Sequence, residues 1–232
     1  SQLSDADMIS WGWRLPFLAG FFIALAGILI REHLPETESF AENVEKSQST
    51  PAFIAFTLHW RTLIQCGLIV AGANIVFYTA FVYFPEYAAT LPGAKAGLSE
   101  GFNALVLLLQ IVIIPIGGWL SDRYGRRRIS LLFTWFLLLA IIPTFQLGTS
   151  GKLEDLIIAQ IILSIPIGVL FGIQGAMLVE ITPAIPRCSI FSISYGLTMA
   201  IFAGTAPLLA TWMIQKQGWR HGPSIYAAIF TV

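Results

Sequence analysis

The sequence predicts an all-α membrane protein, and three observations predict it. Its 232 residues are 56% hydrophobic and only 11% charged, whereas a soluble domain carries about 25% charged residues. The apolar residues gather into uncharged runs of the ~20 residues that a helix needs to cross roughly 30 Å of hydrocarbon. One short turn, Gly117-Gly118-Trp119-Leu120-Ser121-Asp122-Arg123-Tyr124-Gly125-Arg126-Arg127-Arg128, sets four arginines between two such runs, 101–121 and 129–151. An open sheet cannot satisfy its backbone in lipid, so the runs are read as helices. A formal net charge of zero argues against a polyanion such as nucleic acid as partner, and leaves the lipid bilayer as the surroundings.

In chain order, Trp11, Trp13 and Arg14 read as an interfacial belt, followed by a short apolar span over 15–30. Residues 31–61 hold Arg31, Glu32, Glu36, Glu38, Glu42, Glu45 and Lys46 and are too polar to cross, so they read as a connecting loop. Uncharged runs follow at 63–85, 101–121, 129–151, 156–179 and 188–215, each long enough to span. An apolar start at 223–232 covers about half a crossing. The expected count is six complete spans and a stump, a chain cut from something longer. Cys66 and Cys188 read as small packing residues rather than a disulfide or a metal pair.

Basic residues set the orientation. With the arginine turn inside, Arg31, Lys46, Arg61, Arg123, Arg126, Arg127, Arg128 and Arg187 share its side, against Arg14, Lys95, Lys152, Lys216 and Arg220, eight to five. The loop at 31–61 is then cytoplasmic as well.

The register Gly118, Asp122, Arg123, Gly125, Arg126 and Arg127 resembles the cytoplasmic loop signature of the major facilitator superfamily, whose members are twelve-helix secondary transporters. That resemblance implies an order: residues 1–30 as helix six, 31–61 as the central cytoplasmic loop, and 62–232 as helices seven to a truncated twelve. It also implies a role for the turn as a gate. Asp122 would meet a partner on helix five, in the N-terminal half that the chain lacks, and Gly118 would let helices approach. A second stretch, Glu180-Ile181-Thr182-Pro183 with Arg187 and Tyr195-Gly196, resembles the helix ten to eleven loop of the metabolite:proton symporter family. Trp11 to Phe17, Glu36-Thr37 with Phe40, and Tyr78, Tyr83, Pro85 and Tyr87 are similar to the same family. Gly196 and Pro186 depart from its pattern.

Polar residues inside spans are costly in lipid and should face the bundle interior or a wet cavity. At helical spacing Asn74 and Tyr78 share one face, Asn103 and Gln110 another, and Gln160, Ser164 and Gln174 a third. Either these are hydrogen-bonded glue between helices or they line a solute cavity, for which Asn74, Tyr78, Gln110, Gln174 and Tyr195 are the candidates. The ladders Gly168/Gly172 and Gly196/Ala200/Gly204 should permit close helix packing, and Pro115, Pro166 and Pro207 should bend their spans. No Asp, Glu, Lys, Arg or His sits in the middle of a span, which leaves an intramembrane enzyme without its chemistry. The expected function is proton symport of a small organic acid or a betaine- or proline-like zwitterion across a bacterial inner membrane, with the proton as coupling ion and no other cofactor. The groups that take the proton are expected in helices one to five. A uniporter or sugar-porter-like member is the alternative.

Overall fold

The computed structural model describes residues 5–32, 51–90, 98–184, 186–219 and 221–231. Glu36, Thr37, Phe40 and most of the expected loop lie outside the described residues. The chain divides into two units, 1–48 and 49–232. In the first, α1 (Asp5–Ser10) and a 3-10 turn at Gly12–Arg14 precede α2 (Leu15–Glu32), 18 residues long. The Arg14 guanidinium lies over the Trp13 ring, 4.4 Å from its centroid, the arrangement an interfacial belt favours.

The second unit is all helix among its described residues: α3 (Pro51–Leu58), α4 (Trp60–Ala89), α5 (Leu98–Tyr124), α6 (Arg126–Gly148), α7 (Leu153–Ile181), α8 (Arg187–Lys216) and α9 (Gly222–Thr231). Helix α3 lies inside the stretch expected to be loop, and its sequence PAFIAFTL is wholly uncharged. Helices α4 to α8 run 23 to 30 residues and are long and apolar enough to cross a membrane; at 1.5 Å per residue that is about 35–45 Å. In the first unit the apolar stretch Gly20–Ile30 is shorter, so five spans rather than six meet the length among the described residues.

Packing explains the order of the bundle. Helix α7 is the centre: α5 and α6 lie against it, and α4 packs against α7, α8 and α9. Ile75, Val76 and Phe81 of α4, Leu137, Ile141 and Phe145 of α6, and Leu156, Leu163 and Ile167 of α7 form the main core. The Phe84 and Phe145 rings meet edge to face at 5.0 Å. A second cluster joins Ala55 of α3 to Cys66, Val70, Leu178 and Ile190. Cys188 does not pack: it is exposed, while Cys66 is buried. The outer faces invert the soluble pattern. Leu132, Trp135 and Leu139 of α6 are 60%, 63% and 75% exposed, and a continuous apolar face of that kind is tolerated only against lipid or protein. The protein is a multi-pass membrane protein.

Only one of the two small-residue ladders is a contact face. On α7 the ladder works: a Cβ at Gly172 would lie 2.1 Å from the Ile114 carbonyl oxygen, and one at Gly168 would meet Gln110 Oε1 at 2.5 Å. On α8 it does not. Gly196 and Ala200 are exposed, nothing lies within 4 Å of a Cβ at Gly196, and at Gly204 the nearest atom belongs to its own helix. The expected prolines also behave unequally. Pro115 and Pro166 lie inside α5 and α7, as does Pro143 inside α6, but Pro207 is the second residue of a fresh α-helical segment of α8, Ala206–Thr211, after a π-helical stretch at Met199–Ala203.

Candidate functional site

The site is built where α5, α6 and α7 end together. Helix α5 runs on through Asp122 and Arg123 to Tyr124, and Gly125 breaks it at φ 94°. That region is strained for any residue with a Cβ, and it lets α6 begin at Arg126 with one residue between the helices. Gly125 N–H donates to the Ser121 carbonyl at 2.9 Å and Ile129 N–H donates to the Gly125 carbonyl at 3.2 Å, so the reversal keeps its backbone bonds. Helix α7 stops at Ile181 because Pro183 pushes the preceding residue out of helical conformation; Thr182 has ψ 132°.

These three ends bring one cation against two carboxylates. Arg126 reaches Asp122 at 3.1 Å and Glu180, 54 positions along the chain, at 2.5 Å. The arginine is about one-third exposed and its partners more than half, so the pairs are solvent-screened and modest in energy. Their value is geometric, since a guanidinium fork fixes two carboxylates at once. Glu180 and Arg187 do not pair, although both flank the same turn: Arg187 donates to the Thr182 carbonyl at 3.3 Å, and Pro183 lies half-buried between them. Arg123 lies over Trp119 and Tyr124 at 5.6 and 5.8 Å, while Arg127 and Arg128 are exposed.

Below the turn, α5 and α7 touch backbone to backbone. The pressed residue is Gly117, where a Cβ would come within 2.6 Å of Val169 Cα; at Gly118 the nearest atom is the Gly172 carbonyl oxygen at an ordinary 3.4 Å. The signature glycine therefore has room, and its neighbour does not.

The five cavity candidates are dispersed. Asn74 is buried and donates to the Val70 carbonyl of its own helix at 2.7 Å. Tyr78 is half-buried beside Phe77, and Tyr195 stacks on Phe191 at 5.9 Å. Gln110 is wedged between α5 and α7, donating to the Ser164 carbonyl at 3.2 Å, with its Oε1 unpartnered. Gln174 donates to the Ile69 carbonyl at 3.3 Å and lines a cavity of about 270 Å³ among α4, α6, α7 and α9. Ser130 and Thr134 of α6 share that lining. They escaped sequence reading, although two hydroxyls four residues apart are a legible polar face.

The charged turn is thus closed by a carboxylate from another span. The profile described as Major Facilitator Superfamily matches residues 95–232. The chain belongs to the Major Facilitator Superfamily. Among curated proteins it is 31% identical to a citrate-proton symporter of Salmonella typhi, over 94% of this chain and 50% of that protein. It is 28% identical to an ectoine/proline transporter of Corynebacterium glutamicum, over 97% of this chain and 47% of that protein. A proline/betaine transporter of Escherichia coli K12 is 26% identical, over 99% and 48%. The chain thus spans about half the length of the curated relatives it matches. No solved structure matches it.

Proposed function

We propose that this chain forms one wall and one gate of a proton-coupled symporter, carrying a small organic acid or a betaine- or proline-like zwitterion by alternating access across a bacterial inner membrane. The observation that carries the reading is the Asp122–Arg126–Glu180 linkage at the ends of three spans. It fixes the mouth of the bundle with interactions weak enough to exchange partners within one cycle. The relatives named for citrate, proline, betaine and ectoine support the substrate classes. Asn74, Tyr78, Gln110, Gln174 and Tyr195 offer neutral donors and acceptors, and with them Ser130 and Thr134. The proton and any charge opposite a carboxylate are carried by groups outside these spans, in an N-terminal half that completes the transporter. Asp122 takes its exchanging partner from that half.

The test joins residues 1–232 to helices one to five of the citrate-proton symporter and measures uptake of labelled citrate, proline and glycine betaine in cells. Uptake abolished by an uncoupler supports the symporter. Uptake unaffected by the uncoupler turns the reading to a uniporter. A folded chimera that takes up none of the three above the empty vector refutes it.

A further inference from the structure

Near the end of α4 opposite the arginine turn, the helix widens to π geometry over Thr79–Tyr83, and Phe84 N–H donates to the Thr79 carbonyl five residues back. In that register the Ala80 carbonyl would receive its hydrogen bond from residue 85, and in ordinary α-helical register the Phe81 carbonyl would receive its own from the same residue. Residue 85 is proline, which has no N–H to give. One proline thus withholds the single N–H for which the two adjacent carbonyls are both placed, in the interior, where an unpaired carbonyl is costly.

Side chains from two other helices stand in. Gln160 of α7 donates through Nε2 to the Ala80 carbonyl at 2.8 Å, and Asn103 of α5 donates through Nδ2 to the Phe81 carbonyl at 3.1 Å. Gln160 Nε2 also donates to Asn103 Oδ1 at 2.8 Å, tying the two amides together. Gln160 is fully buried, so solvent cannot take its place. A parallel case lies on α8. There Gly204 N–H donates to the Met199 carbonyl, also five residues back, and Pro207 supplies no N–H to the Phe202 carbonyl. The Tyr226 hydroxyl of α9 donates to that carbonyl at 3.2 Å.

We propose that Gln160 and Asn103 are positioning residues that replace the N–H missing at Pro85, and that this clamp holds the last turns of α4, Phe84–Ala89. The segment is then fastened by α5 and α7 as well as by its own backbone, so any shift of α4 against that pair reaches its last turns. The clamp holds whether or not the protein transports, and its test has no uptake readout.

The test is hydrogen–deuterium exchange on the full chain in lipid nanodiscs, comparing the parent with Gln160→Met and Asn103→Leu, each alone and combined with Pro85→Ala. Loss of either amide should speed exchange at residues 86–90 by about tenfold and leave α6 unchanged. Pro85→Ala restores a backbone donor, so on that background the same replacements should change exchange by less than about threefold. A Gln160→Met chain that fails to fold but is rescued by Pro85→Ala supports the clamp. Unchanged exchange at 86–90, an equal rise through all helices, or no suppression by Pro85→Ala overturns it.

Discussion

Arg126 shows how little energy a residue that joins three helix ends needs to carry. Its two carboxylate partners are more than half exposed, so Arg126→Ala should lower the unfolding free energy by less than about 1 kcal/mol. Thermal unfolding in detergent would register that as a small change, while uptake by the chimera described above should fall at least about tenfold if the linkage sets the gate. Gly172 is the opposite case. A Cβ there meets the Ile114 carbonyl oxygen at 2.1 Å, and backbone cannot swing aside. Gly172→Ala should destabilise the bundle by about 1–3 kcal/mol. Gly175→Ala, with nothing within 4 Å of the new atom, should be neutral or slightly stabilising. Equal melting points for the two variants would discard the seam between α5 and α7. The two cysteines separate as cleanly: maleimide should label Cys188 in the native protein and reach Cys66 only after denaturation.

Among the elements, the α5–α6 reversal depends on a single conformation. Gly125 at φ 94° has no Cβ to clash, and Gly125→Ala should cost about 1–2 kcal/mol, read as a lower detergent unfolding midpoint with helix content retained by circular dichroism. That turn was legible in the sequence, since a glycine between two charged helix ends has few other uses. The limits of the long helices were legible for the same reason, because Arg126, Lys152 and Arg187 cannot enter hydrocarbon. The π-helical stretches were not. Those at Thr79–Tyr83 and Met199–Ala203 lie just before Pro85 and Pro207, where a donor is withdrawn and a side chain from elsewhere replaces it, which is a tertiary fact; a third, at Trp212–Lys216, has no proline beside it. Gly196 and Gly204 failed as a ladder in the same way: spacing shows that a face is smooth, and only the fold shows whether anything rests on it.

For the whole bundle, hydropathy made the class of protein plain, and the arginine turn made the family plain. What stayed hidden was which charges meet. Glu180 and Arg187 flank one turn and invite pairing, yet the carboxylate goes to Arg126 across 54 residues, because the packing of α5 and α6 on α7 brings those ends together. The seam has a mechanical consequence. With Gly117 against Val169 and Gly172 against Ile114, α5 and α7 are riveted into one beam, and α6 is jointed to that beam through Gly125. Asp122 and Glu180 therefore ride on one stiff frame, and Arg126 sits at its joint. If that frame is half of the proposed gate, it is the keeper of a lock, and the bolt it receives has to travel in from a separate body.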